Sequence, residues 1–470
     1  MKRGSGYMTF DDAKKVMAGL GQDHVLAGWE RLDAKAQAGL LEQIEALDVE
    51  TVDRILKLLR EKHAGAGGVH TDIEPAAVVS LSSAEQGETC AVGERALREG
   101  KVGVILVAGG QGTRLGYDGP KGTYSLGPIS GASLFEIHAR KLLALERQFG
   151  AQIPFYVMTS QGNDADTRRF FQDNEFFGLT PERVKFFVQG TLPAFWPDGR
   201  MVLEAPGRLF SAPDGHGGIL TALKRTGMID DMERRGLTTL YYFQVDNPLV
   251  EIADTVFVGL HLQKTADMSL KVCAKRNPSE GLGVVVVRDG RQAVVEYTEL
   301  TDAQKEARRP DGELVFKFGS VAIHIFSLAF LKQEATAGLP LHQAHKKVSY
   351  CDETGKTCKP EKPNAYKFEK FIFDALPDAK TALLLEFARE DEFAPVKNAE
   401  GDDSPATARA AMMEKWARWM AAIGVSVPRD AKGGLVYKME IDPVFANGVK
   451  ELKAKLSKGL EIKGDVALRG

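Results

Sequence analysis

The chain has 470 residues, 44% hydrophobic and 27% charged, the make-up of a globular protein with enough apolar material for sizeable cores in two or three domains. Its formal net charge of -3 and pI of about 6.4 exclude a global attraction to nucleic acid or anionic membrane, so any anion site must be built locally. No stretch is as long and apolar as a membrane span, the start MKRGSGYMTFDDAKK lacks an apolar signal core, and Cys90, Cys273, Cys351 and Cys358 form no CxxC pair. The expectation is a reduced, cytoplasmic protein without structural zinc.

Residues 10–60 read as helical, because Leu40, Ile44 and Leu47, then Val52, Ile55 and Leu59, recur every three or four positions. HAGAGGVH (63–70) and the mixed stretch to Glu99 break that period and read as a connector, which gives a helical N-terminal region over 1–99. From residue 101 the runs VGVILVAGG, PFYVMTS, RVKFFVQG, TLYYFQVDN, MSLKVCAK and SVAIHIF are short, β-branched or aromatic, and separated by helix-length segments. Ser133 and Glu136 form a capping-box pattern before Leu134, Ile137, Leu142, Leu145 and Phe149, which share one face, and Gly150 ends that helix. This alternation predicts an α/β class, with a mostly parallel, Rossmann-like sheet covered by helices over 100–394. Within it, LGVVVVRDGRQAVVEYTEL reads as a hairpin, and LPLHQAHKKV, with His342 and His345, as a surface helix. After Ala394 the chain becomes charged and turn-rich. A helix over about 405–422 and a lysine-rich solvated helix from Lys450 complete a small C-terminal region, 395–470.

VAGGQGTRLGYDGPKG (107–122) follows the apolar run Val102–Val107 and holds six glycines, two cations and one acid. At the carboxyl end of the first strand of an open sheet, such a loop brings backbone N–H groups against phosphate. It lacks the Lys-Ser/Thr ending of a P-loop. Gly110, Gly112 and Gly116 are spaced GxGxxxG, one residue too long for a dinucleotide fingerprint. Arg114 and Lys121 supply cations beside it, so phosphate binding is the preferred reading over a plain glycine turn. Asp246, ending TLYYFQVDN, is by position alone either a hard-metal ligand or a helix N-cap, and Asn247 is an equal candidate for the cap.

GGxGTRLGxxxPK occurs in order with FFVQGTLPA (186–194), APDGHGGIL (212–220), VDN (245–247), VVEYTE (294–299), KPNAYKFEKFIFD (362–374) and REDEFAPVKNAEGDDSPATAR (389–409). Together these blocks resemble the eukaryotic-type UDP-N-acetylhexosamine pyrophosphorylases, within the UDP-sugar pyrophosphorylase family, over roughly residues 20–420. The resemblance implies a uridylyltransferase that makes UDP-N-acetylglucosamine and pyrophosphate from UTP and N-acetylglucosamine 1-phosphate with Mg²⁺. It assigns Arg114, Lys121 and Lys397 to the phosphates, the amides of Gly109, Gly110, Gln111 and Gly112 to a phosphate cradle, and Asp246 to the metal. It also gives Gln189 the uracil edge, Gly215 the close approach of uridine, Glu296 the sugar hydroxyls, Phe371 and Phe373 the N-acetyl group, and Lys367 the sugar-phosphate region. On the residues alone, Lys397 reads as a solvated loop lysine, Lys367 as a helix-face charge, and the two phenylalanines as core.

His216 stands where the acetylhexosamine enzymes carry Asn, and Ser320 where they have Asn in an AGN block. Both are sugar contacts in the family, so glucose 1-phosphate is the alternative acceptor. Two readings of other classes are a dehydrogenase, whose spacing the loop lacks, and a non-catalytic nucleotide-binding regulator, which would need neither Asp246 nor Lys397.

Overall fold

The computed structural model describes residues 8–62, 72–456 and 460–470; the stretch 63–70, read as connector, lies outside them. The chain groups into two compact units that alternate along the sequence. Unit 1 takes Met1–Val69, Gly190–Ile219 and Leu339–Asp374, and unit 2 takes His70–Gln189, Leu220–Gly338 and Ala375–Gly470.

Unit 2 is built on a ten-stranded sheet. Its strands are β1 (Val102–Val107), β2 (Phe155–Thr159), β3 (Val184–Val188), β4 (Thr239–Gln244), β5 (Met268–Ala274), β6 (Val284–Arg288), β7 (Arg291–Val295), β8 (Phe318–Ser327) and β9 (Ala382–Glu386), plus the two-residue strand Glu74–Pro75. The order β4–β1–β2–β3 is parallel throughout. β8 runs antiparallel to β4, β5 and β6, while β5 and β9 are parallel. β1 lies inside the parallel half, and Val102, Val104, Ile105 and Leu106 are all buried, as a strand covered on both faces requires. β6 and β7 form the predicted hairpin, pairing Val284 with Val295 through to Arg288 with Arg291. Asp289 and Gly290 turn it with φ of 51° and 72°, the left-handed pair that a two-residue hairpin needs.

The helix Leu134–Phe149 buries Leu134, Ile137, Leu142, Leu145 and Phe149 and stops at Gly150, φ 61°. Ser133 Oγ accepts from Glu136 N at 3.0 Å, the N-cap half of the expected box. The stretch before residue 99 is more ordered than a connector. Ser83–Arg98 is a helix started by a full Ser82–Glu85 capping box. It packs on the helix Thr255–Gln263 through glycines. A Cβ built on Gly93 would lie 1.9 Å from Thr255 O, and one on Gly259 1.9 Å from Thr89 O. Two backbones pressed together need small residues rather than a large apolar stripe, so hydrophobic periodicity passes over this helix. In the C-terminal part, Pro405–Ala422 is helical as predicted. Val449–Lys455 is a short helix that buries Leu452 beneath its lysines.

In unit 1, the helices Phe10–Gly19, Ala34–Glu45 and Val49–Lys62 put Ala13, Met17, Leu40, Ile44, Val52, Ile55 and Leu59 into a core with Leu192, Phe195, Met201, Leu209 and Phe368. Buried Gln22 joins the chain segments: its Oε1 accepts from Met201 N at 2.7 Å and its Nε2 donates to Gly199 O at 3.0 Å. The segment read as a surface helix is the strand His342–Lys346, paired antiparallel with Ala365–Glu369. His342 Nε2 sits 2.7 Å from Asp374 Oδ2, so that histidine has the carboxylate partner its sequence neighbourhood lacks. Long-range pairing overrides the local pattern here.

Three histidines are held neutral by burial. His138 is pushed down to about 3, with Lys141 adding to the effect of burial, His216 to about 4, with His342 adding, and His261 to about 4 against Asp267. An unfolded histidine titrates near 6.5, so the folded-state preference for the neutral ring is fully present above pH ~6.5 and drains as pH falls towards 4. Glu392, raised to about 7 by burial, and Glu334, also raised by burial, act in the opposite sense, two groups against three. The melting temperature should therefore fall between pH 7 and 5, before ordinary carboxylates titrate. A flat calorimetric profile over that range would show that the rings are not buried as neutral groups.

Candidate active site

β1 ends at Val107, and the glycine loop begins where its ladder stops. Asn163, 1% exposed, fixes the loop by donating from Nδ2 to Ala108 O at 2.9 Å and Gly110 O at 3.3 Å. The loop then closes on itself, with Gly112 N donating to Gly119 O at 2.9 Å and Lys121 N to Gly110 O at 3.0 Å. Gly112 thus spends its amide inside the loop. The N–H groups of Gly109, Gly110 and Gln111 have no acceptor among the described residues, three successive donors at a strand end. Gly109 lies close to Gln189: a Cβ built there would stand 2.9 Å from the Gln189 Oε1. The loop end of β1 and the carboxamide after β3 are thereby brought together. Arg114 is exposed and forms no ion pair among the described residues.

Asp246 follows β4, beside β1 in the sheet. The next helix begins only at Thr255, capped by Asp254, whose side chain accepts from Val256 N. Neither Asp246 nor Asn247 is an N-cap. Lys121 Nζ lies 3.8 Å from Asp246 Oδ2, with the two side chains 17% and 14% exposed. The main-chain O of Asp246 accepts from Val396 N at 2.8 Å, so Lys397 follows directly on a main-chain tie to Asp246. Lys397 N donates to Asp403 O at 2.6 Å. Its ammonium has no carboxylate partner among the described residues and lies 5.9 Å from the Phe393 ring.

Two further predicted residues of unit 2 meet around Gly283. Ser320 N donates to Gly283 O at 2.8 Å, and Glu296 Oε1 is 3.4 Å from where a Gly283 Cβ would stand. In unit 1, Gly215 has φ 82° and no room for a side chain, since a Cβ would lie 2.4 Å from Lys370 O. His216 next to it stacks on Phe371, centroids 5.4 Å apart and planes 23° apart, and tilts against Phe373 at 5.7 Å. His216 Nδ1 accepts from Ile372 N at 3.2 Å, so the neutral ring carries its proton on Nε2. Phe373 is buried and Phe371 half-buried. Lys367 lies on the strand Ala365–Glu369 rather than on a helix, with its ammonium 4.6 Å from the Phe210 ring. Burial holds it below the usual lysine range.

Among the described residues, the three-carboxylate group with metal-ligand spacing is Glu251, Asp254 and Glu392. Lys271 fills it: its ammonium lies 2.7 Å from Asp254 Oδ2 and also bonds Glu392. A protein cation occupies the place an ion would take. Sequence reading passed over Asn163 and took Asn247 only as a possible helix N-cap, a place that Asp254 fills instead. A polar residue just past a strand end was their signal, but only the fold shows which main-chain groups they tie.

The family model for UTP–glucose-1-phosphate uridylyltransferase matches residues 65–433. The human UDP-N-acetylhexosamine pyrophosphorylase-like protein 1 is 36% identical, over 96% of this chain and 94% of its own length. The UDP-N-acetylglucosamine pyrophosphorylase of Saccharomyces cerevisiae is 35% identical, over 88% and 92%. Among solved structures, the uridine diphosphate N-acetylglucosamine pyrophosphorylase of Trypanosoma brucei in complex with an inhibitor superposes with a TM-score of 0.83 at 29% identity. That alignment covers 96% of this chain and 95% of the other.

Proposed function

Since the chain belongs to the UTP–glucose-1-phosphate uridylyltransferase family, and is thus a nucleotidyltransferase, we propose that it makes UDP-N-acetylglucosamine and pyrophosphate from UTP and N-acetylglucosamine 1-phosphate. The acceptor follows the relatives named above rather than the family's glucose label, and family membership favours nucleotidyl over hydride transfer. The observation that carries the reading is the position of Asp246, with the Lys121 ammonium of the glycine loop at 3.8 Å and the Lys397 loop hydrogen-bonded to its main chain. Unpaired loop amides and cations around one carboxylate form the electrostatic arrangement that phosphoryl chemistry needs.

An oxygen of the sugar phosphate attacks the α-phosphorus of UTP, the new O–P bond forms, and the bond to the β-phosphate oxygen breaks in line with it. No protein nucleophile takes part. The amides of Gly109, Gly110 and Gln111 hold phosphate oxygens, and Arg114 and Lys121 neutralise the charge moving onto pyrophosphate. Lys397 orients the attacking phosphate. Asp246 fits Mg²⁺, because a single hard carboxylate suits an ion that takes its other ligands from phosphates and water. When bound, that ion lowers charge repulsion at the α-phosphorus. Gln189 can donate and accept at once, as reading a uracil edge requires. Four cysteines without a disulfide suit a cytoplasmic setting, and no helix among the described residues is long and apolar enough to cross a membrane.

The resemblance assigns Glu296, Ser320, His216, Phe371, Phe373 and Lys367 to the sugar side. His216 presents only an Nε2–H donor, where an asparagine offers a donor and an acceptor. An acetyl methyl contact is worth about 1–3 kcal/mol of discrimination, and altered hydrogen bonds at His216 and Ser320 offset part of it. Pyrophosphate release from UTP with a panel of sugar 1-phosphates tests this. N-acetylglucosamine 1-phosphate should lead glucose 1-phosphate by roughly tenfold, and Ser320→Asn should widen the gap. An enzyme that turns over glucose 1-phosphate and ignores the acetylated sugar overturns the acceptor assignment.

A further inference from the structure

We propose that Asn247 is a positioning residue that hooks the loop carrying Lys397 onto the end of β4, so that Asp246 and Lys397 are presented as one fixed pair. The inference rests on the roles just proposed for those two residues. Asn247 is 4% exposed, and both ends of its carboxamide are used. Nδ2 donates to Glu392 O at 2.7 Å, and Oδ1 accepts from Ala394 N at 3.2 Å and Leu249 N at 3.3 Å. One residue earlier, the Asp246 carbonyl accepts from Val396 N. The segment 392–396 is thus joined to residues 246 and 247 by one main-chain bond and one side chain, and Lys397 leaves directly from the last of these ties.

The rest of the loop is held from elsewhere. Glu392 pairs with buried Lys271. Arg389 and Arg276 share Glu280 at 2.6 and 3.0 Å, and Arg276 also reaches Asp403 Oδ1 at 2.9 Å. Asp403, at φ 55°, turns the chain so that its carbonyl accepts from both Lys397 N and Asn398 N. These bonds fix the loop to β5 and the turn after it, whereas the ties at residues 246 and 247 fix it next to the metal carboxylate itself. Further along the same segment, Glu251 N donates to Glu392 Oε2 at 3.4 Å and Lys415 bridges Glu251 to Asp391 O. Asparagine is suited to the task because one planar group donates to a carbonyl and accepts from amides together. An aspartate keeps the shape and the acceptors but sets a charge against Glu392 O, and alanine removes all three bonds.

The test uses Asn247→Asp and Asn247→Ala in the full chain, each also combined with Lys397→Ala, with UTP, N-acetylglucosamine 1-phosphate and Mg²⁺. For either hook variant, kcat should fall by roughly tenfold to a hundredfold, the scale of an ångström-size misplacement. The Mg²⁺ concentration for half-maximal rate should rise. Calorimetric affinity for metal-free UTP, held by the glycine loop, should stay within about twofold. In the Lys397→Ala background the hook substitution should cost little more, because the group it positions is gone. Full additivity of the two losses, or a folded hook variant with unchanged kcat, overturns the proposal. If alanine does not fold, the aspartate variant decides; if neither folds, the role is structural and the proposal is wrong. Fully active Lys397→Ala and Asp246→Ala controls would instead refute the underlying roles, a result separable from any loss seen at Asn247.

Discussion

Asp246→Ala is expected to lower kcat by about a hundredfold or more, the cost of losing a group that stabilises charge in the transition state, with little change in melting temperature. The stability half of this expectation follows from geometry. The side chain's ion pair with Lys121, 3.8 Å long between partly exposed groups, is of a kind worth ~1 kcal/mol or less. The bond to Val396 N uses the Asp246 main-chain oxygen, so alanine keeps it. The catalytic half follows from the loss of the carboxylate proposed to hold Mg²⁺ beside the loop cations. Steady-state rates across a Mg²⁺ series check it. Near-wild-type turnover at low millimolar Mg²⁺ would remove Asp246 from the metal site.

Lys271→Ala should be the most destabilising single change considered, at about 3–5 kcal/mol, the range for breaking a buried ion pair from one side. Lys271 is 1% exposed and lies between Asp254 and Glu392, with the Phe257 ring 5.5 Å from its ammonium. Its removal leaves two carboxylates facing each other with no cation between them. The sign of the pH dependence follows. Glu392 already sits near 7 because burial raises it, and without the neighbouring cation it rises further. Stability from a carboxyl with a raised folded-state pKa is fully present below the unfolded value and is lost as pH rises through the folded one. The variant's deficit should therefore be larger at pH 8.5 than at pH 6 in denaturant titrations. A deficit independent of pH would mean that the cost is lost packing rather than stranded charge.

The parallel half of the sheet was legible because its strands are short, apolar runs with helix-length spacers, and the glycines after β1 mark a tight loop at a strand's carboxyl end. The β6–β7 hairpin was legible from Asp289-Gly290. Ser83–Arg98 was not, because its contact with Thr255–Gln263 runs through Gly93 and Gly259 and leaves no apolar stripe. The strand at His342 was hidden for another reason: its partner lies some twenty residues on, at Ala365–Glu369. At the site, residue types announced the glycine loop, whereas the assignment of Asp246, Lys397 and Lys367 came from resemblance. What no local pattern carries is the join between segments: Val396 N on the Asp246 carbonyl, Asn247 on Glu392, and Lys271 filling a carboxylate group that sequence spacing would offer to a metal. Each depends on residues brought together by the sheet.

Unit 1 draws on three separate stretches of chain, the last ending at Asp374, and this has a bearing on synthesis. The helices that end at Lys62 leave the ribosome long before Leu192, Phe195 and Met201, and longer still before Phe368, which complete their core. At ~5–20 residues per second, the nascent chain holds Leu40, Ile44, Val52 and Ile55 without their final neighbours for roughly 15–60 s. For that interval the amphipathic N-terminal helices are a sticky surface on an unfinished polypeptide, exposed to holdase chaperones and to neighbouring nascent chains. The burden of making this enzyme thus falls on its first sixty residues, which are waiting for the last third of the message to be read.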